Sequence, residues 1–421
     1  MQSKMGENKN IPQIRFNGFD ESWEVKKLGE IGFTYSGLFG KSKIDFGHGE
    51  GKYITYMNIF SNPITNVDIT APIEIDINQN EVEFGDVFFT TSSETPEEVG
   101  MTSVWLGSGK NTYLNSFCFG YRLTEELDSY FIAYLLRSFN TRKKITYLAQ
   151  GISRYNISKN KVMQICISRP KISEQYHIGS YFQNLDKLIT LQQQKHDKLV
   201  TLKKAMLDKM FPKEGADVPE IRFKGFTEAW KERRLGEVMD VTSVKRIHQS
   251  NWTNTGIRFL RARDIVSTYK NEDPVEYLYI SVEKYCEYSL ISGKVKPGDL
   301  LVTGVGTIGV PLLIKNDNPV YFKDGNIIWF KNENAVDGNF FYYSFISNRI
   351  QRYVNESAGI GTVGTYTIES GKKTPLNLPD KKEQILLGTF FKQLDNLIIF
   401  HNYEIQKLKN IKKACLEKMF V

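Results

Sequence analysis

The clearest pattern of apolar and polar positions in the chain is a seven-residue repeat in two stretches, 174–211 and 383–420. In the first stretch the two seam positions hold Ile178, Leu185, Gln192, Leu199 and Met206, and Tyr181, Leu188, Lys195, Leu202 and Lys209. In the second stretch they hold Leu387, Leu394, His401, Leu408 and Cys415, and Phe390, Leu397, Glu404, Ile411 and Lys418. This spacing predicts two long helices, each with a narrow apolar seam.

The two stretches match each other at 17 of 38 positions without a gap, which indicates a duplication. A helix of that length measures about 57 Å and cannot bury so narrow a seam by itself. We therefore expect the two helices to pair as one antiparallel coiled coil. The alternative is that each helix packs separately onto its own domain.

The duplication extends beyond the helices. Residues 11–31 and 218–238, which we call opener 1 and opener 2, match at 11 of 21 positions. Between opener and helix the similarity fades, but the order of matching segments is kept, with 84–87 corresponding to 297–300 and 128–131 to 337–340. The chain is therefore a tandem duplication.

Within each half, short runs of β-branched or aromatic residues bounded by glycine predict strands. These runs are residues 53–59, 85–91, 259–265 and 298–304, whereas residues 130–148 and 340–354 have helical apolar spacing. We therefore predict an α+β fold with pseudo-two-fold symmetry. Mixed α/β domains at 1–173 and 212–382 are each followed by a long helix, at 174–211 and 383–421.

Composition restricts the function only weakly. The chain has 421 residues, more than one core normally holds, and its 55 Lys and Arg against 48 Asp and Glu give a net charge of +7. A basic balance of this size permits a polyanionic partner without requiring one. The start of the chain is polar and no run of 18 apolar residues exists, so we expect a cytoplasmic protein with four reduced cysteines.

Motifs for catalysis are weak or missing. The five histidines lack the spacing of metal ligands, so no zinc site is expected. The tail Gly40-Lys41-Ser42 imitates a phosphate-binding loop, but Tyr35 stands where the motif requires glycine, so we interpret residues 36–42 as a flexible basic loop. No G-x-G-x-x-G separates a strand from a helix, which disfavours a methyltransferase. A non-catalytic protein scaffold is the remaining alternative to a DNA-binding protein.

Two similar but divergent domains at the ends of a rod suit a linear target with two parts, and duplex DNA is such a target. The residues that carry a family resemblance are the openers IPQIRFNGF and VPEIRFKGF, the LGE triplets at 28–30 and 235–237, the Gly-Asp strands, and the helices that begin with EQ and end with KMF. Together they resemble the specificity (S) subunit of type I restriction-modification systems over almost the whole chain.

This resemblance implies that each variable domain is a target recognition domain for one half of a bipartite DNA site, and that the helices set the spacer. It implies two methyltransferase (M) subunits docked on the helices and restriction (R) subunits that complete the endonuclease. It also implies that this chain has no catalytic residues, metal or cofactor of its own. The partner subunits are expected to use S-adenosylmethionine, ATP and Mg.

Candidate DNA-binding residues are cations, hydroxyls and amides near glycines, because Arg and Asn read bases while Lys and hydroxyls hold phosphates. In the first half they are Gly37, Lys41, Ser42, Lys43, Lys52, Thr91, Ser92, Ser93, Arg154, Tyr155 and Asn156. In the second half they are Lys245, Arg246, His248, Arg258, Arg261, Arg263, Thr303, Gly304, Thr307 and Tyr366. Each could instead be a solvated surface charge or a turn residue. Arg261 and Arg263 alternate on a predicted strand, so we expect them to share a face and to be the best candidates.

Overall fold

A computed structural model describes residues 10–359 and 364–421. The chain divides into two compact units. Unit 1 comprises the residues up to Gln193 together with Tyr403–Val421, and unit 2 comprises Gln194–Asn402. Each unit therefore combines one half of the duplicated sequence with the end of the long helix that belongs to the other half.

Unit 1 is built mainly on a four-stranded antiparallel sheet in the order β2-β9-β5-β7 and a three-stranded sheet in the order β4-β3-β8. Its strands are β1 (Glu24–Lys27), β2 (Gly32–Ser36), β3 (Phe46–Ile54), β4 (Thr70–Ile73), β5 (Val87–Thr90), β6 (Ser92–Ser93), β7 (Thr102–Val104), β8 (Thr112–Leu114), β9 (Cys118–Leu123), β10 (Tyr155–Asn156) and β11 (Cys166–Arg169). Its helices are α1 (Tyr56–Ser61), α2 (Ser129–Arg137), α3 (Phe139–Thr146), α4 (Lys159–Val162) and the start of α5 (Ile172–Lys209).

Unit 2 repeats this plan with sheets in the orders β13-β20-β17-β18 and β14-β16-β15-β19. Its strands are β12 (Lys231–Arg234), β13 (Asp240–Thr242), β14 (Trp252–Thr253), β15 (Ile257–Leu260), β16 (Leu278–Ile280), β17 (Leu300–Thr303), β18 (Pro311–Leu313), β19 (Val320–Phe322), β20 (Ile327–Lys331) and β21 (Pro375–Leu378). Its helices are α6 (Leu235–Val238), α7 (Ala262–Tyr269), α8 (Val282–Ser292), α9 (Gly338–Phe345), α10 (Asn348–Ser357), α11 (Ile368–Lys373) and the start of α12 (Lys381–Lys418).

The two predicted Gly-Asp strands are confirmed as β5 and β17, each an inner strand of a four-stranded sheet. The other two predicted strands are wrong in their second halves, because β3 and β15 end at Ile54 and Leu260 and the helices α1 and α7 follow. A local cap explains both helix starts. The Thr55 hydroxyl accepts the Asn58 N–H at 3.3 Å, and the Asp264 carboxylate accepts the Arg261 N–H at 2.8 Å.

Each long helix contributes side chains to the cores of both units. In unit 1, Phe182 of α5 stacks at 5.6 Å on Phe420, which follows the end of α12, and both lie in one buried cluster with Trp23 and Phe131. In unit 2, Phe391 of α12 stacks at 5.8 Å on Phe211, which follows the end of α5. The start of one helix therefore packs beside the end of the other inside each unit, so the predicted antiparallel pairing is confirmed.

A tyrosine, an aspartate and a lysine, which we call a triad, connect the globule to both long helices in each unit. In unit 1, Asp186 of α5 accepts hydrogen bonds from Tyr134 of α2 at 2.7 Å and from Lys412 of α12 at 2.5 Å. Burial, and after it the Asp186 carboxylate, raise the pKa of Tyr134, so its phenol stays protonated and donates.

Unit 2 has the equivalent triad. Asp395 of α12 accepts from Tyr343 of α9 at 2.6 Å and forms an ion pair with Lys203 of α5 at 2.6 Å. The polar contacts between helix pair and globule are therefore duplicated together with the sequence.

The apolar seam differs from its prediction at the second of its two positions. Ile178, Leu185, Leu387 and Leu394 of the first position are buried as expected, but Leu188, Leu202, Leu397 and Ile411 of the second are 37–45% exposed. Phe182 and Phe391, which lie outside the predicted seam, are fully buried instead. The reason is that each helix turns its aromatic side toward a globule core, so burial follows the globule and not only the partner helix.

Candidate DNA interface

Three separate segments that the sequence singled out in the first half converge in unit 1. Strand β6 (Ser92–Ser93) pairs antiparallel with β10 (Tyr155–Asn156), although the two are more than sixty residues apart. A cavity of about 310 Å³ lies beside them, and Gly37 and Thr91 both line it. The candidate segments 91–93 and 154–156 thus lie side by side, and the glycine loop at Gly37 lines the same cavity as Thr91.

The loop that follows the Gly-Asp strand is fixed by the same device in both units. The Thr90 hydroxyl accepts the Met101 N–H at 2.9 Å, and the Thr303 hydroxyl accepts the Val310 N–H at 2.9 Å. Both threonines are fully buried. Thr303 is therefore a structural residue that positions the loop, and its prediction as a DNA contact is corrected on that ground.

Backbone approach and internal pairing account for several unit 1 candidates. A Cβ at the buried Gly37 would lie 2.2 Å from the Asn115 carbonyl oxygen, so this position needs glycine for packing. Lys41 donates to Asp76 at 2.7 Å, and this contact is the main cause that holds the pKa of Asp76 well below its usual range. The Ser42 hydroxyl donates to Asp45 at 2.8 Å. The expected flexible loop is instead anchored by these contacts.

The remaining candidates of the first half differ in accessibility. Lys43, Lys52, Arg154 and Asn156 are exposed, whereas Ser92 and Ser93 are buried. Thr91 and Tyr155 are partly exposed. The exposed cations and Asn156 are the groups that a nucleic acid could contact directly.

Sequence reasoning missed two residues at this place. Phe117 is exposed and lies under the Arg154 guanidinium, which is 5.7 Å from its ring centroid. Lys159, at the start of α4, lines the same cavity as Thr91. The sequence contained no signal for Phe117, because it lies 37 residues from Arg154 and the two meet only in the folded chain. An aromatic ring beside a guanidinium is a surface that stacks well on bases.

Two cations of unit 2 lie over the rings of tyrosines. The Lys245 ammonium lies 4.4 Å from the Tyr288 ring centroid, and the Arg258 guanidinium lies 4.2 Å from that of Tyr277. Both rings are accessible or partly accessible to solvent. Arg258 also donates to the Leu278 carbonyl oxygen at 3.2 Å, so its position on β15 is fixed.

Three other candidates of unit 2 are exposed. Arg246 donates to Asp324 at 2.8 Å but keeps most of its side chain in solvent, and His248 and Thr307 are exposed as well. Because ion pairs on the surface are weak, the Asp324 contact leaves Arg246 available to a phosphate.

Arg261 and Arg263 do not lie on a strand, so the prediction that a strand places them on one face is wrong. Arg261 precedes α7 and donates from Nε and Nη2 to both oxygens of the buried Asp264, at 3.0 and 3.1 Å. It also donates to Glu276, which receives Arg263 as well. The Arg261 side chain is only 14% exposed, whereas that of Arg263 is 64% exposed. The Arg261 side chain therefore stabilises the unit by binding Asp264 and Glu276, and Arg263 remains a surface cation.

We expect Arg261→Ala and Arg263→Ala to separate these roles. Arg261→Ala leaves the buried Asp264 without its cationic side-chain partner, so it should lower the free energy of unfolding by roughly 2–3 kcal/mol. Arg263→Ala removes an exposed pair and should change stability by less than about 1 kcal/mol. Thermal or urea unfolding measures both effects. Equal stability of the two variants would contradict the assignment of Arg261 to the interior.

Gly304 and Tyr366 are also internal. The Tyr366 N–H donates to the Gly304 carbonyl oxygen at 2.8 Å, and the Tyr366 ring is 1% exposed with its hydroxyl against Thr374. In unit 1 the Ile157 N–H makes the equivalent bond to the Thr91 carbonyl oxygen at 3.0 Å. Tyr366 thus occupies the place of a core isoleucine, which corrects its prediction as a DNA contact.

Two equivalent mixed α/β units, each completed by the ends of two long antiparallel helices, define a duplicated recognition scaffold. Both halves of the chain match one family model, that of the type I restriction modification DNA specificity domain, at residues 20–201 and 227–410. These segments include most of the sequence. The chain therefore belongs to the family of type I restriction-modification specificity subunits.

Several relatives support this membership. A protein of Haemophilus influenzae, provisionally named as a type I restriction enzyme specificity subunit, is 28% identical over 65% of this chain and 66% of its own length. The type I restriction enzyme MjaVIII specificity subunit of Methanocaldococcus jannaschii is 25% identical over 69% of each chain. The match thus spans about two thirds of the length of both relatives.

Two solved structures share the fold. One is the S subunit of a type I restriction-modification system from M. genitalium, with a TM-score of 0.53 at 15% identity over 98% of this chain and 99% of that chain. The other belongs to a study of complex assembly and conformational transition in the type I R-M system, with a TM-score of 0.54 at 16% identity over 94% and 96% of the two chains. At these identities the likeness concerns the fold alone.

Among residues 10–359 and 364–421, no group of three or more His, Cys, Asp or Glu side chains is arranged to hold a metal ion. In the same residues no helix has the length and apolarity needed to cross a membrane.

Proposed function

We propose that this chain is the DNA-reading subunit of a type I restriction-modification complex, in which each unit reads one half of a bipartite site. The observation that carries the proposal is the duplication of a whole unit with divergent surfaces. Unit 1 presents Thr91 and Lys159 at one cavity and Arg154 over the exposed ring of Phe117. Unit 2 presents tyrosines and cations such as Arg258. Two different surfaces on one repeated frame read two different half-sites.

The long helices set the distance between the half-sites and provide the docking surface for methyltransferase subunits. Exposed apolar side chains along α5 and α12, including Leu191, Val200, Ile399 and Phe400, support a protein partner on them. We propose two methyltransferase subunits, one for each half of the duplication, and restriction subunits that join them. The related structure on type I complex assembly supports an assembly of this kind.

The chemistry belongs to those partners in this proposal. The methyltransferase and restriction subunits use S-adenosylmethionine, ATP and Mg, while this chain contributes recognition without catalytic groups of its own. Two charged contacts among the candidate residues, Lys41 with Asp76 and Arg261 with Asp264, hold the fold together.

DNA binding by unit 1 should lose part of its salt dependence in the variant Arg154→Ala/Lys159→Ala. Each phosphate contact removed lowers the slope of log K against log salt by about 1, because fewer counterions are released on binding. Titration of the complex with site-containing duplex at several salt concentrations measures the slope. Lys26→Ala, which removes a cation of the same unit on β1, is the control and should leave the slope unchanged.

Methylation mapping decides the function itself. A host that carries this chain with its methyltransferase partner should show one modified bipartite sequence that is absent without the chain. A protein scaffold would select no sequence, so modification that is independent of this chain would contradict the proposal.

A further inference from the structure

Each opener binds the start of one long helix through a buried ion pair. In opener 1, Arg15 donates from Nε and Nη2 to the two oxygens of Glu174, both at 2.7 Å. In opener 2, Arg222 makes the same bidentate contact to Glu383 at 2.7 and 2.8 Å. The glutamate side chains are 2% and 0% exposed. Bidentate geometry of this kind fixes both distance and orientation.

The residue just before each of these arginines binds the end of the other long helix. The Ile14 N–H donates to the Lys418 carbonyl oxygen of α12 at 3.0 Å, and the Ile221 N–H donates to the Lys209 carbonyl oxygen of α5 at 2.9 Å. Carbonyl groups in the last turn of a helix lack partners within the helix, so this bond caps it. Each opener therefore holds two antiparallel helices at once, and we call this contact set the clip.

The EQ pair at the start of each long helix now has an explanation. Its glutamate receives the opener arginine, and its glutamine binds the globule. Gln175 accepts the Asp128 N–H at 3.1 Å, and Gln384 accepts the Asp337 N–H at 3.0 Å. Asp128 and Asp337 are the N-cap residues of α2 and α9. Opener, globule and long helix thus meet at one point in each unit.

In each unit the clip and the triad are two points of attachment between the globule and the long helices. The number of residues between the two points is the same in both units. On the helix that starts in the unit, twelve residues separate Glu174 from Asp186 and Glu383 from Asp395. On the helix that ends there, six residues separate Lys412 from Lys418 and Lys203 from Lys209. Two points of attachment about 18 Å apart along one helix prevent both sliding and tilting.

The apolar seam cannot supply this precision. A heptad seam is nearly unchanged by a slip of seven residues, which moves a helix by about 10 Å. The second seam position is also partly exposed, at Leu188, Leu202, Leu397 and Ile411. A slip of even one residue, about 1.5 Å, breaks the bidentate contact of Arg15 or Arg222.

We propose that the two clips fix the register at which each unit holds the long helices, and that this register, together with the length of the helices, determines which spacer length the protein accepts. By fixing the axial position and rotation of both helices within each unit, they fix where each reading surface presents itself along the duplex. One base pair corresponds to about 3.4 Å, so a register error of a few residues changes the accepted spacer. This inference rests on the proposed function, and Arg15, Glu174, Arg222 and Glu383 are positioning residues in it.

The test uses the full chain assembled with its methyltransferase subunit. The substrates are duplexes with both half-sites fixed and the spacer varied from three base pairs shorter to three longer than the native length. The test variant is Arg15→Lys/Arg222→Lys, which keeps both cations but loses the bidentate fork. The control variant is Glu21→Ala/Glu220→Ala, which removes the exposed pairs with Lys171 and Lys213 from the same two openers.

We expect the preference for the native spacer over spacers one base pair longer or shorter to fall about tenfold in the test variant and to stay unchanged in the control. If the test variant is slower at all spacers with the same preference, the clip is merely structural and the inference is overturned. A wild-type complex that selects no bipartite site overturns both the proposed function and this inference. If the test variant still modifies the native half-sites and its spacer preference is unaltered, only the proposed role of the clip is overturned.

A second measurement needs no DNA and covers the case of poor folding. Spin labels at the exposed positions 187 of α5 and 413 of α12, both in unit 1, report the distance between the two helices. The distribution should broaden in Arg15→Lys and become narrow again when the pair is exchanged as Arg15→Glu/Glu174→Arg. A distribution that is equally narrow in wild type and Arg15→Lys would overturn the role of the clip.

Discussion

Removal of one heptad from the middle of each long helix should shorten the accepted spacer by at most roughly 3 base pairs and leave both half-sites unchanged. Seven residues of helix span about 10 Å, and a whole heptad preserves the phase of the seam. Deleting 191–197 and 401–407 leaves Asp186, Lys203, Asp395 and Lys412 in place, so both triads survive.

Methylation mapping of this variant reads the spacer directly. Modification at the native spacer should be lost and should reappear at the shorter one. A matched deletion of two residues from each helix is the control, because it turns the following seam by about 200° and should abolish activity at every spacer. A folded, active heptad variant with an unchanged spacer would show that the helices do not set the distance.

The fragment 1–217 should form a symmetric dimer that directs modification to an interrupted palindrome. Unit 1 needs Lys412 for its triad and Phe420 for its core, and the fragment lacks both. It does contain Lys203 and Phe211, which are the equivalent residues of the repeated helix. A second copy of the fragment can therefore complete the first, and two identical reading surfaces then face opposite directions.

Light scattering of the fragment and methylation mapping with the methyltransferase subunit test this expectation. Phe211→Ala in the fragment should weaken the dimer by about 3–5 kcal/mol for each copy, which is at least about a hundredfold in Kd. Lys204→Ala, at an exposed position of α5 within the fragment, is the control and should leave the dimer unchanged. A well-folded fragment that stays monomeric at high concentration would contradict the pairing.

The long helices, the duplication and the Gly-Asp strands could be predicted because each depends on local spacing or on identity between the repeats. The exposure of Leu188 and Leu202 could not be predicted from the heptad pattern. Helix burial here depends on the globule that faces Phe182, and sequence spacing contains no information on that neighbour.

The segments that form the candidate site could be predicted from the sequence. Which of their side chains are buried or paired could not. Hydroxyls at 91–93 and the segment 154–156 were identified by composition, and the β6–β10 pairing brings them together. Arg261 was misjudged because β15 ends at Leu260, so that Arg261 caps α7 and pairs with Asp264. Its second partner, Glu276, lies fifteen residues away just before β16, and no local pattern assigns a guanidinium to a distant carboxylate. Tyr366 was misjudged because nothing in its local sequence marks it as a core residue. Its core position becomes clear only from its equivalent in the other unit, Ile157.

The participation of Phe420 in the core of unit 1 has a consequence for synthesis of the protein. Unit 2 is a continuous segment, Gln194–Asn402, and all of its core residues are available once the ribosome has passed that segment. Unit 1 begins first but has to wait for Cys415, Met419 and Phe420. At 5–20 residues per second the delay is on the order of tens of seconds. The half of the chain that is made first is therefore the half that finishes folding last, and during this interval its aromatic core is open to chaperones or to a second nascent chain.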